Sequence, residues 1–274
     1  ITHCPADDPN VTGVFVTIAH VKVDGQTLSG FSGKKTVNLM TLQQGNVALL
    51  GLGDLGTGSY QNITLVLDHQ TDATGGSPGC YVLTADNVKH ALSASAGQSL
   101  TASKNFAVTT GATTSLVIDF DLRKSIQYQN SGTDKYDFVS TADLQSALRV
   151  VLKSSAGVIY GECQNTLVSA DKIIVYAYKK GTFDRNVEIQ TQNGVAFKNA
   201  VTSTLVNSNG EFKLAFLENG EYELHLAAYK DTDSDGKLDL QGTLLLDNLI
   251  NLENIRLDAG AEVHLSILVT GLLP

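Results

Sequence analysis

The feature that most constrains this chain is a period-2 alternation of apolar and polar residues, repeated along most of its length. An alternating segment gathers its apolar residues on one face only when it is extended, so such a chain builds sheets. "VTGVFVTIAHVKV" (11–23) sets Val14, Val16 and Ile18 on one face, then slips phase so that Val21 and Val23 take over. A one-residue slip of this kind is what a β-bulge produces. "YQNITLVLD" alternates through Ile63, Leu65 and Leu67. "TSLVIDFDLRKS" sets Leu116, Ile118, Phe120 and Leu122 on one face and Asp119, Asp121 and Arg123 on the other, which predicts an ion-paired polar surface.

A second series follows: "GVIYGEC", "KIIVYAYKKG", "EFKLAFL", "EYELHLAAY" and "AEVHLSILV". Asn209-Gly210 and Asn219-Gly220 read as hairpin turns, because both residue types accept positive φ at low cost. The small, polar "KSSAG" (153–157) marks a boundary between the two series. Helix signals are few. "TADLQSALRVVL" (141–152) holds a turn or two of helix from Thr141, or a loop into a strand at Leu148–Leu152. "VNLMTLQQGNVALLG" (37–51) contains at most a short helical segment closed by Gly45. The expected fold is all-β. Two tandem β-sandwich domains, immunoglobulin-like or transthyretin-like with little helix, span 1–153 and 157–274.

At 274 residues and 42% hydrophobic content, the chain can bury a sizeable core in each half. A net charge of −9 disfavours nucleic acid and anionic membrane surfaces as partners, since both attract clustered Lys and Arg. No apolar run approaches the roughly 18 residues of a membrane span. The chain starts at Ile1, compatible with prior removal of an export signal. Three cysteines, Cys4, Cys80 and Cys163, form no CxxC pair. A Cys4–Cys80 disulfide is expected, as both lie in the N-terminal half. Three separate buried thiols are the alternative.

The blocks "PADDPNVTGVFVTIAHVKV", "LVLD", "CYVL" and, above all, "VIDFDLRKSI" resemble the bacterial surface family described as domain of unknown function 4382, over about residues 3–153. The resemblance implies an exported protein, often a lipoprotein, with no enzymatic activity attached. "SNGEFKLAFLENGEYELHL" followed by an acidic turn resembles a carboxypeptidase-regulatory or transthyretin-like β-sandwich. Family members have a strand ahead of the corner that reads "HCPAD" here, where this chain offers only Ile1-Thr2. That implies a strand removed upstream or one supplied by another chain.

The sharpest candidate site is "KDTDSDGKLDL" (230–240). Asp231, Asp233, Asp235 and Asp239 occupy positions 1, 3, 5 and 9 of a loop with Gly236 at position 6, and Lys237 is placed to offer its backbone carbonyl. Oxygen ligands at alternating positions of a tight turn converge on a hard cation, and Ca2+ is the expected ligand. Position 12 is Gly242, so the bidentate glutamate is missing, and strands flank the loop instead of helices. The alternative is a solvated acidic hairpin tip. "GLGDLG" (51–56) fits a dinucleotide fingerprint by spelling alone, because the residues after it alternate as a strand does.

The six histidines are scattered without metal or triad spacing, and read as structural. Tyr176 and Tyr178 share a strand face that could stack on a sugar or simply be covered. The Asn10 and Asn62 sequons carry no argument. The functional expectation is a non-enzymatic, extracellular, cell-surface structural or adhesive protein, braced by calcium and self-assembling by strand exchange. "HLSILVTGLLP" would be the donor. The alternative is a glycan-binding accessory module.

Overall fold

The computed structural model describes residues 2–4, 10–93, 99–128, 136–190, 195–234, 237–247 and 251–274, with side chains from residue 10 onward. It is mainly β and divides into two compact units, the described residues up to Lys153 and those from Ser154 on.

The first unit contains β1 (Thr2–Cys4), β2 (Val11–Val23), β3 (Gln26–Thr27), β4 (Lys35–Asn38), β5 (Gly58–Leu67), β6 (Tyr81–Thr84), β7 (Lys89–Ala91) and β8 (Ser99–Val108). They are followed by β9 (Leu116–Asp121), a helical turn α1 (Leu122–Ser125), β10 (Ile126–Tyr128), β11 (Tyr136–Phe138), α2 (Thr141–Ser146) and β12 (Leu148–Leu152). One sheet runs β7-β6-β2-β5-β8, with β3 and β4 also on β2; a second runs β1-β9-β12. Their inner faces share one core, in which Val14, Val16 and Ile18 of β2 and Leu65 of β5 meet Phe120 of β9 and Val150 of β12. The phase slip in β2 is a bulge, since its register against β5 shifts between Ile18 and His20. Both readings of 141–152 hold in part. Ser140 caps α2 by accepting from the Asp143 N–H, and the strand follows at Leu148. The segment 37–51 holds only a 3₁₀ turn at Leu39–Thr41.

"DFDLRKS" departs from its expected polar surface. The strand stops at Asp121, whose side chain caps α1 by accepting from the Arg123 N–H. Asp119, Asp121 and Arg123 are all buried. Arg123 Nη2 lies 2.8 Å and Lys124 Nζ 3.4 Å from Asp121 Oδ2, and Arg149 Nη2 lies 2.6 Å from Asp119 Oδ2. Alternation predicts opposite faces of a strand, but not that the second face is covered too. Burial pushes the Asp121 carboxyl up, and the Arg123 and Lys124 charges outweigh it, leaving the carboxyl below its ordinary value.

The second unit contains β13 (Gly157–Gln164), β14 (Lys172–Lys179), α3 (Arg185–Glu188), β15 (Thr202–Leu205), β16 (Glu211–Leu217), β17 (Gly220–Lys230), β18 (Asp239–Leu246), β19 (Ile255–Leu257) and β20 (Glu262–Leu273). The path is β15-β14-β17-β18-β20-β13-β16. β20 joins its two halves. It runs parallel to β13 through Val158↔Glu262 to Gln164↔Leu268, then antiparallel to β18 through Leu246↔Val269 to Thr243↔Leu273. Ile159, Val175, Phe212, Leu214, Leu224, Leu226, Leu265 and Ile267 fill the core between. Both Asn-Gly turns differ from the expected hairpins. β15 pairs β14 and β16 pairs β13, so the Asn209-Gly210 turn crosses from one half of the path to the other. So does Asn219-Gly220, between β16 and β17. Positive φ at Gly210 (82°) sets where the chain turns, not which strand it pairs with next.

The buried ion cluster gives a direct test. Arg123→Met removes the closer of the two cations that pair buried Asp121, leaving it only Lys124 at 3.4 Å, and is expected to destabilise the first unit by about 3 kcal/mol. Arg256→Ala, which breaks an exposed pair with Asp258, should change the second unit by less than about 1 kcal/mol. Urea unfolding of both variants measures the contrast. Because Asp121 sits below its ordinary value, its contribution is present above the carboxylate range and lost as pH falls through it.

Candidate metal centre and other candidate sites

The acidic turn closes the β17–β18 hairpin, with Lys230 opposite Asp239. Its carboxylates are stitched to the turn's own donors. Asp231 Oδ1 accepts from Ser234 N (2.7 Å), and Asp239 Oδ2 accepts from Thr232 N (3.2 Å) and from the Thr232 hydroxyl. Asp171, just ahead of β14, brings a further carboxylate that accepts from Asp231 N at 3.0 Å. Sequence reasoning missed Asp171, which stands sixty residues from its partner and in no motif. Ser234 takes a positive φ of 62°, which tightens the turn. Asp233 and Lys237 lie in the described turn; Asp235 and Gly236 lie outside the described residues. Among the described residues no group of three or more His, Cys, Asp or Glu side chains is arranged to hold a metal.

Tyr176 and Tyr178 are fully covered, so they offer no stacking platform. The segment between β14 and β15 folds across them. Phe197 stacks on Tyr176 at 4.1 Å, and Phe183 meets Tyr178 edge-on at 5.0 Å. The Tyr176 hydroxyl bonds that of Tyr229 (2.7 Å), and Tyr178 donates to buried Glu188 (2.7 Å), which also accepts from Asn199. The signal for this cover was present in Phe183 and Phe197, but their irregular segment gives no period to read.

"GLGDLG" opens no helix. A Cβ on Gly30 would lie 1.3 Å from the Leu52 carbonyl oxygen, and one on Gly53 would lie 2.6 Å from Leu28 Cδ1. These glycines allow two loops to touch through their backbones. Described histidines have structural neighbours: His90 with Thr84 and the Tyr136 ring, His69 with the Leu92 carbonyl, His264 with Glu162.

The expected Cys4–Cys80 bond is not formed. Cys80 is a buried free thiol, holding the Thr17 N–H and the Asp68 carbonyl at 3.4 Å each, and the Cys4 side chain lies outside the described residues. The backbone of β1 is instead paired in parallel with β9, Cys4 opposite Asp121. Burial pushes the Cys80 thiol up to about 12 and the Cys163 thiol up to about 11.

Residues 5–139, just under half of the chain, match the family model described as Domain of unknown function (DUF4382). These comparisons do not support the second half's resemblance to a carboxypeptidase-regulatory or transthyretin-like domain. No curated protein matches the chain. Among solved structures, BcpA, the major pilin subunit of Bacillus cereus, is 10% identical with a TM-score of 0.25, over 99% of this chain and 67% of its own. GBS52, the minor pilin of Streptococcus agalactiae, is 12% identical with a TM-score of 0.24, over 100% of this chain and 95% of its own. A putative cell adhesion protein from Bacteroides fragilis is 11% identical with a TM-score of 0.19, over 100% and 93%. Scores of this size carry no functional argument.

Thiol labelling tests the cysteine assignment. Native protein should leave Cys80 and Cys163 unmodified by iodoacetamide, and urea without reductant should make both react. Labelling of Cys80 that requires a reductant as well would restore the disulfide.

Proposed function

We propose that this chain is a non-enzymatic protein of the cell exterior with a structural or adhesive role, braced by Ca2+ at the 231–239 turn and associating with further copies of itself. The observation that carries the association is the unequal pairing of β9. On one side β12 accompanies it from Leu116 to Phe120; on the other, β1 reaches only Asp119 to Asp121. A strand in line with β1, whether from further up the same protein or from another copy, would continue the parallel ladder past Ile118, Val117 and Leu116, and a strand edge of this kind is a template for such pairing. The C-terminal stretch 264–274 is engaged within its own unit, its first part with β13 and its last part with β18, so it would have to give up those pairings to act as a donor.

The calcium reading rests on the motif order of Asp231, Asp233 and Asp239 in one turn, with the Asp171 carboxylate 3.0 Å from the Asp231 N–H, although the described carboxylates are not gathered into a ready-made site. Oxygen donors in this order suit a hard cation, whose charge would relieve their mutual repulsion. Asp231 and Asp239 would hold it, with Asp171 supporting the turn from outside the motif. The charged form of each carboxylate is also the better acceptor for the turn's N–H groups, so the ion and the turn would stabilise each other. The glycan alternative loses the tyrosine face, which lies buried.

Two measurements test the reading. Millimolar Ca2+ should raise the melting temperature of the second unit by several degrees over EDTA-treated protein, and Asp231→Asn with Asp239→Asn should abolish the rise; equal melting curves with and without Ca2+ contradict it. Electron microscopy and light scattering of concentrated protein should show ordered assemblies, and monodisperse single chains at every concentration contradict the association.

A further inference from the structure

The outward face of β17 carries a histidine that takes part in none of the roles above. In the ladder between β14 and β17, Tyr176 stands opposite His225 and Tyr178 opposite Glu223, so these side chains share one face. The segment after β14 is tied down here. Its Phe183 ring lies nearly flat on the His225 ring, with centroids 3.6 Å apart and planes at 17°. Glu223 Oε1 accepts from both Thr182 N (2.9 Å) and Phe183 N (2.8 Å). The His225 Nε2 atom is buried without a hydrogen-bond partner and stands 3.8 Å from Glu223 Oε2.

We propose that residues 182–183 are latched onto β17 through a neutral His225, and that protonation of His225 in mild acid releases the latch. A neutral imidazole can stack on Phe183 with its Nε2 unsatisfied at modest cost. An imidazolium there carries a charge and a second N–H that the stack keeps from water. The nearby acceptor is Glu223, the same carboxylate that holds the Thr182 and Phe183 amides. Drawing it toward the imidazolium loosens its grip on them.

The groups facing His225 fit this sign. From its own strand comes Glu223, and from the turn before β19 comes the charge of Glu253. From β14 comes the Tyr178 ring edge at 5.8 Å, its hydroxyl engaged with Glu188. From the latched segment comes apolar Phe183. The neighbouring lysines are directed elsewhere, Lys179 to the Tyr222 hydroxyl and Lys180 to Glu221. Burial lowers the His225 pKa below 6.5, with Glu223 and Glu253 opposing it incompletely. The released state therefore binds more protons than the latched one. The latch is whole above that ordinary value and weakens as pH falls through it toward the lowered one. Release uncovers the edge of an aromatic face that is otherwise sealed, and does not depend on calcium or on association between copies.

Hydrogen exchange of the full chain tests this. After correction for intrinsic rates, protection of the Thr182 and Phe183 amides should fall severalfold between about pH 7.5 and about pH 5.5. Val175 and Leu226, in the paired interior of β14 and β17, should stay unchanged. In His225→Gln the latch amides should lose this pH dependence. His225→Phe, which keeps the ring stack and cannot titrate, should do the same and serves if the first variant does not fold. A wild-type profile without the fall overturns the proposal, as does an undiminished fall in His225→Phe.

Discussion

The second unit depends on one strand serving two sheets. Through Leu268, β20 gives its backbone to β13, and from Val269 on it gives it to β18. The inward face changes parity just past the crossing, at the register shift between Leu246↔Val269 and Leu245↔Gly271. Leu265 and Ile267 point into the core from the first half, and Val269 and Leu272 pack there from the second. Sheets twist, and a strand passing between halves of a sandwich must rotate its side chains to keep apolar atoms inside. Because β20 is shared, the β17–β18 hairpin and the acidic turn at its tip hang from the same frame as β13 and β16. A strand so committed would have to give up these pairings before it could join another copy.

In the first unit the comparable constraint is electrostatic. Asp119 and Asp121 are buried beside Arg149, Arg123 and Lys124 at the end of β9, where the three-residue β1 joins the sheet. Buried charges are tolerated only when paired, and losing one partner costs far more than the pair contributes over an apolar substitute. The cluster therefore fixes where β9 ends and α1 begins more firmly than it adds stability. Among the described residues only β12 pairs β9 at Leu116 and Val117, directly upstream of this fixed point, so a strand added there would meet a defined register.

The strands were legible because most bury at least one face, and burial needs only the alternation that residues such as Val14, Ile63 and Leu265 supply. The bulge in β2 was legible for the same reason, since a lost residue of phase shows in the spacing of valines. Pairing was not. Asn209-Gly210 and Asn219-Gly220 announce turns, but their next partners are chosen by the core on the far side of the sandwich. The covered faces were also hidden. Tyr176, Tyr178 and Asp121 look surface-facing until an irregular segment or a helical turn closes over them, and irregular segments carry no period. At the candidate metal centre the motif residues were readable in order, whereas Asp171 was not, because proximity across sixty residues leaves no mark in a single sequence.

Among the described residues many reactive groups serve structure: Cys80 and Cys163 are sealed in cores, His225 stacks on Phe183, and carboxylates close turns or pair with arginine. Within the second unit, β20 is the strand that joins the two halves of the path. Native-state hydrogen exchange along β20 tests this most directly. Amides from Leu265 to Leu272 should open only with the whole unit, sharing its slowest exchange. Rapid exchange along β20 while β13, β17 and β18 stay protected would show a detachable strand and contradict the account.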